Sequence, residues 1–583
     1  MNRDNLLCAS LSMEIGIASD IKTYSGGLGV LEGDKLKSAA DMKIPMLGIS
    51  LLYNNGYFTQ RIRDDQQTEI YVPYEPQKHM ATLDVKVCVP IENRNVQLRA
   101  WLYEQEGVNS SGPNGFKVPI IFLDTNGDEN SAWYDKMITD SLYKETPNDN
   151  KYWRIAQEIV LGIGGIRMVH ELNRRYPSQF PLPKVYHLNE GHGAFAALEL
   201  LRMYGSVDKV KERTVFTTHT PVPAGHDWFN YGKINDMMGN YLLGLKGSKG
   251  FDIRKLAGAY ELNMTQLAMN MSRYINAVSK LHGETSKKMF RDYEIDYITN
   301  GVHTRTWACP EFQRFIYDNY FPGWKDNPGE LKNASFVPTS ELLSAHECAK
   351  KRLIDYVEEH SSARLESDVL TIGLARRFAG YKRADLIFSD LERLVKACSG
   401  KVQFVIAGKA HPNDNIGKDI LHNILNHAQK LKGKLGIAFL ENYNMYVGSL
   451  LTSGCDIWLN LPRIPSEACG TSGMKAAHNA VPNISTLDGW WAEVAEIFGK
   501  QIGGWSIGSQ QGKGENDSCM PEHIIDKIDA TNFYNLLEKA VIPLIKNPEK
   551  QAEKMREGLI LASHFNSHRM LEEYVRKAYL SEC

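Results

Sequence analysis

The chain lacks the marks of a secreted or membrane protein. Its nine cysteines are odd in number and scattered, and none forms a CxxC pair. This pattern predicts reduced thiols and a cytoplasmic protein, and argues against a zinc knuckle or a disulfide framework. No apolar run reaches 18 residues, and the N-terminus has no long apolar stretch. We therefore expect neither a signal peptide nor a transmembrane helix.

Neither sign of charge is in excess. Lys and Arg number 67 against 69 Asp and Glu, for a formal net charge of −2, which predicts no nucleic-acid partner and no membrane partner. The histidines show no HExxH or related spacing, and no GxSxG elbow occurs. We therefore expect no metal and no Ser-His-Asp hydrolase.

Apolar, strand-like runs alternate with helical patterns in two series, one over the first half of the chain and one from Val369 onward. At 583 residues the chain is long enough for two large cores. The alternation predicts an α/β protein with two Rossmann-like, doubly wound domains that face a central cleft. We place them at residues 1–303 and 304–583, with final helices available to return to the first domain.

Local patterns give further expectations for single segments. Asn54-Asn55-Gly56 predicts a hairpin turn after the strand MLGISLLY. Residues 124–152 are polar and predict a surface loop, and residues 255–290 predict a long helical region. The segment ELLSAHECAKKRLIDYVEEH and the last 50 residues predict helices.

A run of small residues, Ala468 to Gly473, precedes Lys475 and an Ala-rich helix start. Small residues let backbone N–H groups approach a ligand, and free N–H groups at a helix N-terminus bind phosphate. A lysine in that helix would lie beside the phosphate and could hold a phosphorylated aldehyde cofactor as a Schiff base. A simple turn and N-cap is the alternative interpretation.

Positive charge is concentrated after the apolar strand LTIGLA. Arg376, Arg377, Lys382 and Arg383 lie within eight residues, and Lys409 ends the next strand-like run. The Arg377 fork and the Lys382 ammonium suit an oxyanion, although a solvated basic turn is the alternative. This much charge near one glycine loop suggests two phosphates, one from a cofactor and one from a substrate.

Polar side chains follow strands in the first half of the chain as well. SGGLG, which contains Gly27, lies between a strand and a helix but is not a full GxGxxG motif. Glu190 and His192 follow one predicted strand and His219 the next, where open α/β sheets bind ligands. Glu190 and Glu467 could pair as a glycosidase acid and base, but each loop suits the binding of polar ligand groups better.

Seven motifs together resemble the α-glucan phosphorylases, most closely the short bacterial and archaeal type. They are, in chain order, YSGGLG, HLNEGH, FTTHTPVPAGHD, ITNGVHT, ARRFAGYKRA, AGKAHP and EACGTSGMK. The resemblance covers nearly the whole chain. It implies a glycosyltransferase B-type fold with pyridoxal 5′-phosphate, and reversible phosphorolysis of the terminal α-1,4-linked glucose of glycogen, starch or maltodextrin. Inorganic phosphate would yield glucose 1-phosphate with retention of configuration.

The resemblance also implies a role for each candidate residue. Those implied for the cofactor are Lys475 (as its Schiff base), Arg376, Gly470, Thr471 and Gly473. Those implied for inorganic phosphate are Arg377, Lys382 and Gly27. Those implied for the glucosyl unit are His192, His219, Asn300, Glu467 and Gly470. The implied catalytic set is Lys475, Arg377, Lys382, His219 and Glu467. In the family the substrate phosphate protonates the leaving oxygen, which explains the lack of a convincing carboxylate pair.

Two alternatives stay open. A nucleotide-sugar-dependent glucan synthase on the same fold would need no lysine at position 475, and a glucan-binding homologue without activity would need no cofactor. The chain departs from the family at Cys469 and at Pro482. It also departs at residues 143–146, where members of the family more usually have a glycine-rich pattern. None of these changes removes a lysine or phosphate contact.

The resemblance leaves regulation and assembly largely open. The chain begins almost at its first predicted strand, so we expect no N-terminal phosphorylation switch and no allosteric control. The preferred glucan length and the oligomeric state do not follow from the sequence, which is compatible with a homo-oligomer.

Overall fold

The computed structural model describes residues 6–108, 115–146, 150–499, 501–508 and 520–580. The segment 1–5, for which we expect no switch, and residues 147–149 of the loop that follows the departure at 143–146 lie outside the described residues.

The described part of the chain forms 19 strands. They are β1 Cys8–Leu11, β2 Met46–Leu51, β3 Thr59–Arg63, β4 Gln66–Ile70, β5 Ala81–Ile91, β6 Arg94–Glu106, β7 Lys117–Asp124, β8 Val185–Asn189, β9 Thr214–Thr217, β10 Trp228–Asn230, β11 Glu261–Asn263, β12 Tyr274–Ala277, β13 Asp296–Tyr297, β14 Leu370–Ala375, β15 Val402–Ala407, β16 Ile437–Leu440, β17 Ile457–Asn460, β18 Asn483–Thr486 and β19 Gly504–Ile507.

The same residues form 22 α-helices. They are α1 Gly27–Asp41, α2 Trp133–Lys136, α3 Tyr152–Ile159, α4 Gly165–Arg175, α5 Phe195–Tyr204, α6 Val207–Lys211, α7 Tyr231–Gly244, α8 Ile253–Ala257, α9 Met264–Asn270, α10 Lys280–Met289, α11 Thr304–Trp307, α12 Pro310–Phe312, α13 Asp318–Tyr320, α14 Thr339–His360, α15 Leu391–Cys398, α16 Asn415–Lys430, α17 Met445–Gly454, α18 Thr471–Ala477, α19 Gly489–Ile497, α20 Glu522–Leu536, α21 Pro548–His564 and α22 Ser567–Tyr574.

The first large sheet has the spatial order β13-β12-β9-β8-β1-β2-β7-β6-β5 in the described residues. The first seven of these strands are parallel, and β6 and β5 extend the sheet in antiparallel fashion. Numbered along the chain, the parallel strands follow the order 3-2-1-4-5-6-7. This is the Rossmann order with one added strand, and its switch point lies between β1 and β8.

The second large sheet has the order β16-β15-β14-β17-β18-β19, and its described strands are all parallel. Along the chain this is 3-2-1-4-5-6, the Rossmann order itself, with the switch point between β14 and β17. Strands β14 and β15 are buried at every residue, because helices cover both faces of a parallel sheet. The predicted fold class of two doubly wound sheets is confirmed.

Two sets of contacts tie the second half of the chain to the first. Gln60, in the hairpin β3–β4, makes two hydrogen bonds with Asn442 of the second half. The Gln60 N–H donates to Asn442 Oδ1 at 3.3 Å, and the Asn442 N–H donates to Gln60 Oε1 at 2.9 Å. At the other end of the chain, α22 packs against α1, and the hydroxyl oxygens of Ser38 and Ser567 lie 2.6 Å apart. The predicted division at residues 303 and 304 stays a prediction.

Three local predictions are wrong in part. A turn forms at Asn54-Asn55-Gly56, but it joins no hairpin, because β2 pairs with β1 and β7 while β3 pairs with β4. The polar segment 124–152 includes α2 and buries Ile138 and Leu142. The region 255–290 contains strand β12 between two helices. Periodicity alone cannot tell whether a run of four residues is a strand or part of a helix. Here the pairing of β12 with β9 and β13 makes it a strand.

Candidate active site

The predicted site residues follow the strands at both switch points. In the second sheet Arg376 comes directly after β14, and the loop that carries Glu467 comes after β17. In the first sheet Glu190 comes directly after β8, and His219 lies two residues beyond β9. Parallel strands end at the same edge of a sheet, so each group of side chains is gathered at one ligand-binding edge.

The edge of the second sheet holds one carboxylate, with its side chain 11% exposed, between two cations. Arg376 donates to Glu467 Oε2 at 2.7 Å, and the Lys382 ammonium donates to both carboxylate oxygens at 2.9 and 2.7 Å. Burial alone would raise the pKa of Glu467, but Lys382 and Arg376 outweigh it and lower that pKa. Glu467, the residue predicted to bind the sugar, is therefore ionised. It is paired with Arg376 and Lys382, the two residues predicted to bind phosphate groups.

The other two cations of this edge are placed differently. Arg377 is exposed and has no hydrogen bond among the described residues, so it is not part of the Glu467 cluster. Lys409 is half-buried beside the rings of Tyr57 and Phe58 and donates to the Phe58 carbonyl oxygen at 2.8 Å. Burial, with help from Lys22, lowers the pKa of Lys409 to about 7.

Lys475 lies in α18 with 7% of its surface exposed. Its ammonium nitrogen is 3.7 Å from the ring centroid of Trp307, and it makes no hydrogen bond or ion pair within the described chain. Burial lowers the pKa of Lys475 to about 8, against Asp34, which raises it, and with Lys37, which lowers it. A buried, unpaired amine with a lowered pKa is suited to condense with an aldehyde.

The loop before Lys475 is built around two glycines with different constraints. Gly470 has φ +84°, a conformation that favours glycine. At Gly473 a Cβ atom would lie 2.5 Å from Asn483 Oδ1 and 2.8 Å from the Trp490 ring. Close packing of α18 therefore requires the second glycine, while Thr471, at the start of the helix, stays half-buried.

These residues fit a phosphorylated aldehyde cofactor. Besides the unpaired Lys475 amine, the site holds buried atoms that lack hydrogen-bond partners in the described chain, among them Arg376 Nε and Asp34 Oδ1. Asp34 uses its other oxygen to accept from Trp307 Nε1 at 2.7 Å. Charged and partly unsatisfied polar groups together with a buried amine match what such a cofactor needs.

At the edge of the first sheet, the Glu190 carboxylate is satisfied by neighbouring groups of the protein. Glu190 accepts from the Gly191 N–H at 3.0 Å, the His219 N–H at 2.7 Å and the Thr220 hydroxyl at 2.9 Å. Its φ of +67° is strained for a non-glycine residue, and these three bonds hold it there. Glu190 and Glu467 are therefore both occupied, which leaves no free carboxylate pair for glycosidase chemistry.

Both predicted histidines of this edge are neutral. Burial lowers the pKa of His219 to about 3, with further lowering by His282, Lys35 and His192. Burial and the Arg154 guanidinium lower the pKa of His192 to about 3 as well, against the opposing effect of Asp227. Neither ring can donate a proton as an imidazolium near neutral pH, so both act as uncharged hydrogen-bonding groups.

Three predicted residues of the first half present unsatisfied or open groups. Asn300, which is 3% exposed, has an amide oxygen with no partner among the described residues, and His192 Nδ1 is likewise unpaired. Gly27 begins α1 and faces open space, with no atom within 4 Å of a Cβ built on it. A polar ligand at this edge would meet all three.

Sequence reasoning missed Glu14 and Tyr143. Glu14 comes shortly after β1 and accepts from the N–H groups of Ser25 at 2.6 Å and Gly26 at 3.0 Å, which caps the glycine loop. Tyr143 donates its hydroxyl to Glu14 at 2.9 Å, and its ring lies 5.8 Å from that of His192. The rule that ligands gather at strand ends could have identified Glu14, whereas the sequence singles out Tyr143 only as part of the departure from the family at residues 143–146.

One cluster beside His192 resembles a metal site in residue type only. Ligand atoms of Glu158, His192 and Asp227 lie within 4.8 Å of one another. Arg154, however, pairs with Glu158 at 3.1 Å and with Asp227 at 2.7 Å. Arg154 keeps the pKa of Asp227 low, whereas burial and Asp227 raise the pKa of Glu158 well above its usual value, so the cluster fits an ion pair with a protonated Glu158 better than a cation site.

Two Rossmann-ordered sheets, each with polar and charged side chains gathered at its strand ends, give the glycosyltransferase B-type fold. Residues 249–576 match the family described as carbohydrate phosphorylase. The chain belongs to this family, and it is a phosphorylase enzyme of the glycosyltransferase class. The seven cysteines in the described part of the chain are free. No helix in the described ranges is long and apolar enough to cross a membrane.

Named relatives extend the match over nearly the whole chain. Maltodextrin phosphorylase of Thermococcus litoralis is 38% identical over 98% of this chain and 70% of its own length. Glycogen phosphorylase of Aquifex aeolicus is 34% identical over 98% of this chain and 85% of its own. Glycogen phosphorylase of Mycobacterium tuberculosis is 33% identical over 98% of this chain and 70% of its own length. The sequence-based identification of the family is confirmed.

Proposed function

We propose that the protein is an α-1,4-glucan phosphorylase that transfers the non-reducing terminal glucose of glycogen, starch or maltodextrin to inorganic phosphate. The product is α-D-glucose 1-phosphate, formed reversibly and with retention. The observation that carries the proposal is the buried Lys475 amine, which is unpaired in the described chain and lies on the helix that follows the Glu467 loop at the same sheet edge. The named relatives support the same substrate class.

We assign the cofactor to the second edge. Lys475 would attach the aldehyde of pyridoxal 5′-phosphate, and Arg376, Gly470, Thr471 and Gly473 would hold its phosphate. When bound, this group supplies an acidic phosphate beside the substrate phosphate. The neutral fraction of the Lys475 amine, which the lowered pKa increases, is what permits the attachment.

Lys382 has a second role in this proposal, because it can exchange one anion for another. In the free protein its ammonium is bound to Glu467. A phosphate dianion held by Lys382, Arg377 and Gly27 would compete for that ammonium and free lone pairs of Glu467. Those oxygens can then accept hydrogen bonds from sugar hydroxyl groups, so phosphate binding and sugar binding support each other.

The first edge supplies the uncharged half of the site. His192, His219 and Asn300 would orient the glucosyl unit through hydrogen bonds, together with Gly470 from the second edge. Neutral groups here leave the positive charge that develops on the sugar to be balanced by the phosphate. Neither Glu190 nor Glu467 needs to give or take a proton.

No observation favours the two alternatives, a nucleotide-sugar-dependent synthase and an inactive glucan-binding homologue. The free thiols of the described cysteines support a reducing, cytoplasmic setting. A homo-oligomer remains compatible with this function, and the site as assigned needs only one chain.

The test is phosphate-dependent release of glucose 1-phosphate from maltodextrin by the purified protein loaded with pyridoxal 5′-phosphate. We expect borohydride to fix the cofactor on Lys475, and Lys475→Ala to abolish both the labelling and the activity. Turnover by Lys475→Ala, or glucan extension from a nucleotide sugar in place of glucose 1-phosphate, would contradict the proposal.

Lys409 provides a matched control for the labelling, because burial lowers its pKa as well. Its ammonium is already bonded to the Phe58 carbonyl. We therefore expect Lys409→Met to retain the borohydride-fixed cofactor on Lys475. Transfer of the label to Lys409 in the wild-type protein would show that a low pKa, and not the loop, selects the lysine.

A further inference from the structure

A buried ion pair on α1 lies next to the predicted sugar-binding histidine. Glu32 and Lys35 have side chains 1% and 4% exposed, and their charged atoms are 2.7 Å apart. The same Glu32 oxygen accepts from the Asn189 Nδ2 group at 2.7 Å. Asn189 ends β8, and its amide oxygen contacts Nε2 of His219. One amide therefore connects the ion pair to His219.

The ion pair determines which way the Asn189 amide faces. A carboxylate paired with an ammonium has no proton to donate, so Asn189 turns its NH2 group toward Glu32. The amide oxygen then faces His219, and an amide oxygen can only accept. Because Nε2 of His219 touches this oxygen, Nε2 is the ring nitrogen that carries the proton.

The other ring nitrogen is then defined as well. Burial, His282, Lys35 and His192 lower the pKa of His219 to about 3, so the ring is neutral and holds one proton. With that proton on Nε2, Nδ1 is bare and can only accept a hydrogen bond.

We propose that Glu32 and Lys35 are positioning residues that set the tautomer of His219 and keep Nδ1 as an acceptor for a substrate hydroxyl group. The identity of that hydroxyl as part of a glucosyl unit rests on the proposed function, whereas the tautomer does not. Sequence patterns gave no sign of this role, because a Glu and a Lys three residues apart on a helix are ordinary.

Lys35 is itself held in place. Its ammonium donates to Ser10 Oγ at 3.0 Å and lies 3.4 Å from His187 Nδ1. His187 Nδ1 is also 2.8 Å from the Tyr579 hydroxyl, near the C-terminal end of the described chain. The ammonium cannot move freely away from Glu32, so the two halves of the pair should have different effects when removed.

Removal of Glu32 and removal of Lys35 give opposite predictions. In Glu32→Ala the remaining ammonium attracts the Asn189 amide oxygen, the amide turns, and the proton of His219 moves to Nδ1. In Lys35→Met the carboxylate still accepts from Asn189, so the proton stays on Nε2. In Glu32→Gln the new amide oxygen faces Lys35 and Asn189, and the original tautomer is retained. A merely structural role would make the first two variants alike.

The experiment is long-range proton–nitrogen NMR of the full chain labelled with 15N-histidine, with His219 assigned by the signal lost in His219→Asn. We expect a protonated Nε2 in the wild type, Lys35→Met and Glu32→Gln, and a protonated Nδ1 in Glu32→Ala. Glu32→Ala should lower kcat/KM for maltodextrin by about tenfold, the value of one lost hydrogen bond, and Glu32→Gln should restore most of it.

Glu199→Ala is the matched control, because it removes a buried carboxylate held by Arg167 and Arg202. It should cost stability without moving the proton of His219. A protonated Nδ1 in the wild type overturns the proposal without need of any variant, and so does one tautomer shared by Glu32→Ala and Lys35→Met. A protonated Nε2 in a protein without phosphorylase activity would overturn the proposed function and leave the tautomer assignment intact.

Discussion

Glu190 and Glu467 occupy matching places, since each follows the fourth parallel strand of its sheet, next to the switch point. Their partners differ. Glu190 accepts from two backbone N–H groups and a hydroxyl, all uncharged. Glu467 accepts from Arg376 and Lys382. The first carboxylate fixes backbone geometry, whereas the second balances charges that an incoming anion can also balance.

This contrast extends to the rest of both edges. The first edge has neutral histidines and unpaired amide groups, which suit the hydroxyl groups of a sugar. The second edge has cations and a buried amine, which suit phosphates. One fold repeated twice thus gives two kinds of recognition, because the strand-end residues differ while the strand order does not.

The largest expected effect comes from removing a cation of the second edge. Lys382→Met should lower kcat/KM for phosphate by roughly 10²–10³-fold, as does loss of one charge-stabilising group in other active sites. The mechanism requires an increase in the KM for phosphate, measured by steady-state kinetics in both directions. Lys396→Met, an exposed lysine on α15, is the control and should have no effect. An unchanged KM for phosphate in Lys382→Met would remove the charge contrast between the edges.

The second prediction concerns the pH dependence of cofactor attachment. The pKa of Lys475 is lowered to about 8, so its neutral amine fraction at pH 7 is roughly 300-fold that of an ordinary lysine. Below pH 8 the attachment rate of pyridoxal 5′-phosphate to the apoprotein should rise about tenfold per pH unit and then level off. Stopped-flow absorbance measures it. A rate still rising beyond pH 10 would show that the amine is not tuned by burial.

The third prediction compares the two glycine loops. Gly473→Ala should destabilise the protein by about 1–3 kcal/mol, because its Cβ would lie 2.5 Å from Asn483 Oδ1. Gly27→Ala adds a methyl group to open space and should change the free energy of unfolding by less than about 0.5 kcal/mol. Chemical denaturation of both variants gives the comparison. Equal losses would mean that the first loop is as tightly packed as the second.

Much of the fold could be predicted because its signals are local. Strands such as β14 and β15 are short and mostly apolar, and their alternation with helices leads to a parallel sheet of Rossmann order. Strand β12 could not be predicted, because four residues between two helices carry too little of a periodic pattern. The pairing of β2 with β7 also depends on the sheet and not on the turn that follows β2.

The candidate site divides in the same way. Lys475 and the cations after β14 stand in distinctive motifs, so their chemistry could be inferred from residue type and position. The contact between Lys382 and Glu467 joins residues 85 positions apart, and that between Asn189 and Glu32 joins residues 157 apart. Such contacts follow from the packing of elements, which no spacing rule contains.

The smallest expected effect is on acid stability, and it tests the neutral character of the first edge. The pKa of His192 falls from 6.5 in the unfolded chain to about 3 in the folded protein. Between these values the unfolded state binds one more proton, so the stability contributed by the neutral ring is present above pH 6.5 and is lost as the pH falls toward 3. His192 should therefore contribute at most about 1.4 kcal/mol of lost stability per pH unit.

His192→Asn should reduce the slope of the free energy of unfolding against pH by up to that amount between pH 6 and pH 4. Urea denaturation at several pH values measures this slope. A slope that His192→Asn does not alter would mean that the ring is charged in the folded protein, and the first edge would then no longer differ from the second in kind.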